Sequence, residues 1–112
     1  MDITTSNFNN KPTSFLQELI HFCHHKKIHL ISDEVYALSK IGKSPFVSAI
    51  ELSERSPYVH HVYSVAKDFG LSGFKTGFFV SFHPKLLKAC KILTYFYTIP
   101  SHSQALIASL LQ

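Results

Sequence analysis

The chain has no tryptophan, one methionine and two cysteines. Cys23 and Cys90 both fall on apolar faces of predicted helices. Buried, reduced thiols are therefore favoured over a disulfide, which points to a cytoplasmic setting. No apolar run approaches the roughly 20 residues a membrane-spanning helix needs, so no membrane partner is expected. No basic-then-apolar leader opens the chain, and a secretory signal is not expected either. Charged residues are scarce, at 16%, against 46% hydrophobic, which describes a core-rich globular chain rather than a disordered one. With 112 residues, one domain is the natural count. No internal repeat or low-complexity tract is visible.

Net charge is +4 and the pI is near 9.1. The cations are scattered over Lys26-Lys27, Lys40, Lys43, Lys85, Lys88 and Lys91. A phosphate-backbone footprint requires clustering, so a solvated surface is the better reading. The predicted strands carry almost no basic residues, which argues against a nucleic-acid-binding sheet face.

Residues 1–10 are polar, Asn-rich and without periodicity, and read as a flexible lead-in to a domain spanning 11–112. Ser14 with Gln17 forms a capping-box signal. Phe15, Leu16, Leu19, Ile20, Phe22 and Cys23 follow at helical spacing, predicting a helix from about Ser14 to Lys27. The apolar run Ile28–Ile31 reads as a buried strand reaching Ser32. A loop at Gly42–Pro45 precedes a short helix over Phe46–Leu52. Val59–Ser64 and Gly77–Phe82 read as further strands. His83-Pro84 opens a long helix with proline at its favoured first position. Its apolar face is Leu86, Ala89, Cys90, Leu93, Phe96 and Tyr97. Ser101 with Gln104 caps a final helix, Ser101 to Leu111. This alternation predicts an α/β fold with a small, mostly parallel sheet of three strands and helical covers. At least one sheet edge would be bare.

The chemistry concentrates in Ser64-Val65-Ala66-Lys67-Asp68-Phe69-Gly70-Leu71-Ser72-Gly73-Phe74-Lys75-Thr76-Gly77. A lysine stands between a strand and a glycine-punctuated turn, with a hydroxyl three residues before it and a second cation eight residues after it. An amine so placed suits covalent bonding to a phosphorylated aldehyde, given neighbours that lower its pKa or desolvate it. Gly-rich turns and hydroxyls supply donors for the phosphate. The run resembles the cofactor-lysine motif of the class I and II aminotransferases, which use pyridoxal phosphate (PLP). Ile28-His29-Leu30-Ile31-Ser32-Asp33-Glu34-Val35-Tyr36 resembles the strand and loop that lie against the pyridine ring in that family. Asp33 and Lys67 are 34 residues apart, enough for one crossover.

The resemblance implies a partial three-layer sandwich, an incomplete PLP-binding large domain. It makes Lys67 the catalytic residue that forms the internal aldimine and later shuttles the substrate's α-proton. Asp33 would pair with the ring nitrogen, Tyr36 with the phenolic oxygen, and Ser64 and Lys75 with the phosphate. The family usually has arginine where this chain has Lys75, and a lysine offers a point charge in place of a planar fork. Amino acids and 2-oxo acids would be the substrates, and a homodimer is the family's habit. The wording Lys67–Phe74 is similar to the aminocyclopropane-carboxylate synthase-like branch, which includes lyases as well as transaminases. The family's substrate-gripping arginine and ring-stacking aromatic have no counterpart here. A weakly active or inactive fragment, or a non-catalytic remnant, is therefore expected.

Other patterns carry less. Gly42-Lys43-Ser44 imitates the end of a P-loop, but Ala37 stands where the first glycine belongs. Gly70-Leu71-Ser72-Gly73 lacks the spacing of a nucleophile elbow. His21, His24 and His25 read as a polar helix end, and no metal is expected. His60 and His61 are adjacent on a strand, so their side chains diverge.

Overall fold

A computed structural model describes residues 2–4, 13–39 and 45–112. The lysine-bearing loop at Gly42–Ser44 and most of the lead-in lie outside these. Helix α1 runs Thr13–Lys26 and buries Leu16, Ile20 and Cys23, one stripe at helical spacing. It stops because Lys27 takes a left-handed conformation, φ 56°, and Ile28 N donates back to the Cys23 carbonyl at 2.9 Å. A left-handed residue after the last turn is the usual way to satisfy orphan carbonyls, here without glycine.

Strand β2, Leu30–Asp33, follows. It starts two residues later than the apolar run suggests. Leu30 and Ser32 are buried, while Ile28 is 41% and Ile31 36% exposed. The run is thus not buried on both sides. Strand side chains alternate between faces, and α1 covers the face that Leu30 occupies. Leu30 packs with Leu16, Ile20, Cys23, Ala49 and Val59 to form the core.

Short helix α2, Ala49–Leu52, begins later than the sequence suggests because Ser48 caps it, its hydroxyl accepting from Ile50 N at 3.3 Å. Strand β3 is Val59–Ser64, as expected, and leads without a break into α3, Val65–Asp68. A 3-10 turn at Ser72–Phe74 leads to strand β4, Gly77–Ser81.

Asp2–Thr4 form strand β1, pairing parallel with Ile31–Asp33. This corrects the reading of residues 1–10 as wholly loose. Three residues are too few for periodicity to show, and the pairing comes from backbone groups along the edge of β2. The sheet therefore has four strands in the order β1-β2-β3-β4. The first three are parallel, and β4 runs antiparallel to β3.

His83 caps helix α4, Pro84–Thr94, with Nδ1 accepting from Leu86 N at 3.2 Å. The helix is shorter than its apolar pattern. Phe96 and Tyr97 lie beyond its end and are 78% and 82% exposed. The last helix, α5, is Ser101–Leu110. The expected capping box does not form. Gln104 instead reaches back to the Ile99 carbonyl at 2.7 Å, and Pro100 stands at the cap position. Ser103 and Ile107 are the buried residues of α5.

Candidate active site

Because β2 and β3 are parallel, their carboxyl ends lie on the same side, where open α/β sheets bind ligands. Asp33 is the last residue of β2 and pairs in register with Val62, so it stands beside the end of β3. Lys67 sits in α3, immediately past β3. Strand β4 runs the other way and begins opposite Ser64, at Gly77, which brings Lys75 and Thr76 to this end as well. The topology therefore gathers Asp33, Tyr36, Ser64, Lys67 and Lys75 at one end of the sheet.

The side chains are placed as follows. Lys67 is exposed, and its Nζ lies 5.9 Å from the centroid of the Tyr36 ring. Such a separation allows cation–π attraction. The described residues do not desolvate Lys67: Tyr36, the neighbour at its face, is itself 46% exposed. Asp33 is half-buried, and its Oδ1 accepts from Val35 N at 3.3 Å. Lys75 is exposed, in a left-handed conformation with φ 51°.

Ser64 behaves differently from a free phosphate donor. Its hydroxyl accepts from Ala66 N at 3.1 Å and donates its one proton to the Thr76 carbonyl at 2.8 Å. A phosphate needs donors, and this one is committed to closing the turn. Two glycines shape the same turn. Gly70 takes φ +67°, and a Cβ on Gly77 would lie 3.3 Å from the Tyr63 carbonyl.

Two carboxylates escaped sequence reasoning. Glu34 is 2% exposed and accepts from the Ser32 hydroxyl at 2.8 Å, the Ser48 hydroxyl at 2.6 Å and Ala49 N at 2.9 Å. His61 Nδ1 lies 3.7 Å from it. Asp68 accepts from Leu38 N at 3.0 Å, from the Tyr63 hydroxyl at 3.0 Å and from the Ser39 hydroxyl. Burial pushes the Asp68 carboxyl upward, but the bonds from Ser39, Leu38 and Tyr63 outweigh it and hold the group below its ordinary value. The Tyr63 phenol is pushed up to about 12, by burial first and then by Asp68. A carboxylate next to the motif lysine was the available signal for Asp68; no local pattern marks Glu34.

At the opposite end of the sheet, His60 points away from His61. It is 1% exposed, with Nε2 2.8 Å from His29 Nδ1 and Nδ1 2.9 Å from the Ser81 hydroxyl. His24 Nδ1 meets the Ser56 hydroxyl at 2.9 Å. Among the described residues no group of three or more His, Cys, Asp or Glu side chains could hold a metal ion. No described helix is long and apolar enough to cross a membrane.

Comparison with known proteins decides what this arrangement belongs to. The family model for aminotransferase class I and II matches residues 11–112. This chain is a class I/II aminotransferase family member. The class I/II aminotransferases are PLP-dependent. Among curated relatives, 1-aminocyclopropane-1-carboxylate synthase 7 of Arabidopsis thaliana is 36% identical over 102 residues, which cover 86% of this chain and 23% of the relative. Probable aminotransferase tcpI of Claviceps purpurea is 47% identical over 81 residues, covering 64% of this chain and 19% of the relative. Among solved structures, apo-BacF from Bacillus subtilis superposes with a TM-score of 0.79 at 22% identity, over 100% of this chain and 30% of that one. A putative kynurenine aminotransferase from Saccharomyces cerevisiae gives 0.70 at 26% identity, over 84% and 23%. The chain thus spans about a fifth to a quarter of the curated relatives it matches. Its fold is a part of an aminotransferase large domain, α/β with a small, mostly parallel sheet.

The donor set of this aminotransferase segment fits PLP. A carboxylate, a phenol, a primary amine and a second cation stand at one sheet end, matching a ring nitrogen, a phenolic oxygen, an aldehyde and a phosphate. Ser64 is the member whose proton is directed elsewhere.

Proposed function

We propose that residues 11–112 form the cofactor-side wall of a PLP-dependent aminotransferase acting on amino acids and 2-oxo acids. The observation that carries this is the convergence of Asp33, Tyr36, Lys67 and Lys75 at one end of the sheet, with Lys67 Nζ against the Tyr36 ring. Lys67 would hold the cofactor through its amine, Asp33 its ring nitrogen, Tyr36 its phenolic oxygen, and Lys75 its phosphate, with Ser64 joining Lys75 only once its proton leaves the Thr76 carbonyl. When bound, PLP supplies an electron sink for negative charge at the substrate's α-carbon. Asp33 would keep a proton on the ring nitrogen through a charge-assisted hydrogen bond. Tyr36 would donate to the phenolic oxygen, with its ring facing the Lys67 amine at 5.9 Å. Lys67 is the group that would take the substrate's α-proton and return it.

Exposure limits what this stretch does by itself. Lys67 and Tyr36 are open to water, and efficient chemistry at such a centre requires exclusion of solvent. We therefore expect these 112 residues alone to be weakly active or inactive, with a homodimer or further family segments completing the site. A non-catalytic remnant is the reading that the same exposure favours if cofactor is not held. A lyase of the aminocyclopropane-carboxylate synthase type is the other reading, favoured by the names of several relatives. Free Cys23 and Cys90 support a cytoplasmic setting.

The test adds PLP to the purified chain, reduces with borohydride and maps the modified peptide. Modification at Lys67 is expected. Folded protein with modification elsewhere, or none, would refute the cofactor assignment. Measurable amino-acid turnover by the isolated chain would refute the expectation of weak activity.

A further inference from the structure

Asp68 follows Lys67, yet its carboxylate reaches across the site and not along its own turn. Oδ2 takes Leu38 N and the Tyr63 hydroxyl, both at 3.0 Å, and Oδ1 takes the Ser39 hydroxyl. One side chain therefore joins the loop after β2, the end of β3 and the lysine turn. Leu38 and Ser39 lie just past Tyr36, and Ser39 N closes a turn onto the Tyr36 carbonyl at 3.2 Å. The other end of that loop is held by Glu34, whose backbone N–H donates to the Val62 carbonyl at 2.9 Å and whose carboxylate is fully engaged. Tyr36 thus hangs between two carboxylate anchors. Its ring is half open to solvent, so packing alone does little to hold it.

We propose that Asp68 is a positioning residue that sets where Tyr36 stands against Lys67. The proposal deepens the reading of Lys67 as the cofactor lysine and rests on it for its catalytic meaning. The chemistry explains the choice of residue. Three donors converge, and one of them, a backbone N–H, can only donate. An asparagine placed with its oxygen at Oδ2 keeps the bonds from Leu38 and Tyr63, while the Ser39 hydroxyl turns to accept from its amide. Alanine keeps none of them.

The experiment has two arms. The first uses cofactor-free protein and compares wild type, D68A, D68N and S39A combined with Y63F by NMR. It reads the contact between the Tyr36 ring and the Lys67 side chain, and amide exchange at Leu38, Leu30 and Val59. D68A is expected to lose the contact and to raise exchange at Leu38 at least tenfold, with Leu30 and Val59 unchanged. D68N is expected to retain the contact. A contact that persists in D68A overturns the proposal. So does exchange that rises equally at Leu30 and Val59, which would make Asp68 a general fold residue. If D68A does not fold, S39A combined with Y63F decides, because it strips two of the three bonds from Asp68: a weakened contact supports the proposal, and an intact one overturns it.

The second arm adds PLP and follows the absorbance of the protein-bound cofactor against pH. D68A is expected to move the titration midpoint by half a pH unit or more, in the same direction as Y36F, while D68N stays with wild type. A wild-type midpoint in D68A beside a shifted Y36F overturns the proposal. If wild type takes up no PLP at Lys67, the functional reading fails, and the cofactor-free arm alone decides the role of Asp68.

Discussion

Glu34 is a side chain whose loss should be strongly felt. It is 2% exposed and receives three short hydrogen bonds, from Ser32, Ser48 and Ala49 N. Those bonds tie the end of β2 to the start of α2. In E34A, three donors lose a charged acceptor inside the protein. Bonds to charged groups contribute about 1.5–3 kcal/mol each, but the two serine hydroxyls can rotate to other acceptors. Allowing about 1 kcal/mol per bond gives a loss of about 3 kcal/mol, a large part of the 5–15 kcal/mol typical of a domain. With a urea m-value of about 1.5 kcal/mol per molar, the unfolding midpoint followed by circular dichroism should fall by about 2 M. E34Q keeps one oxygen for Ser32 and Ala49 N and should lose about 1 kcal/mol. An E34A protein within 0.5 kcal/mol of wild type would refute the reasoning, because the three bonds would then carry no net stabilisation.

Other predictions concern titration and cofactor affinity. His60 is held below its ordinary pKa of 6.5, by burial first and then by His29 and His83. The unfolded chain therefore binds a proton near pH 6.5 that the folded chain does not. Stability should be full above that pH and decline as pH falls below it toward the folded value. Urea midpoints at pH 7.5 and 5.5 check this, and the difference should shrink in H60Q. A spectrophotometric titration should find one of the five tyrosines ionising near pH 12, and Y63F should remove that component. K75R should bind PLP about tenfold more tightly, or ~1.4 kcal/mol, because a planar fork replaces a point charge. An unchanged dissociation constant would count against Lys75 as a phosphate ligand.

Much of this architecture was legible from residue pattern. The helix carrying Leu16, Ile20 and Cys23 was visible because apolar side chains repeat at helical spacing over several turns, and β3 because Val59–Ser64 is bounded by a proline and a glycine-rich turn. The gathering of Asp33 and Lys67 could be anticipated from their positions after two strands. What escaped detection was long-range or too short to leave a pattern. Asp2–Thr4 pair through backbone alone. The apolar run at Ile28–Ile31 read as a buried strand throughout because sequence does not say how many faces of a strand are covered. Gln104 chose the Ile99 carbonyl over a capping box, a competition between two local bonds that the motif does not settle. Ser64 looked like a phosphate donor because the motif supplies a hydroxyl there, and only the placement of Thr76 shows where its proton goes.

That Ser64–Thr76 bond has a consequence for the order in which the structure assembles. It joins residues 12 positions apart in a hoop around Lys67, and the hairpin of β3 and β4 begins directly beyond it. Short loops close at little entropic cost, whereas the parallel pairing of β2 with β3 must first bring together partners separated by a whole crossover. The lysine turn therefore belongs to the most local part of the topology. Its geometry can be established while the edge that supplies Asp33 and Tyr36 is still unpaired, so the Lys67 turn can form before its neighbours at that end of the sheet arrive.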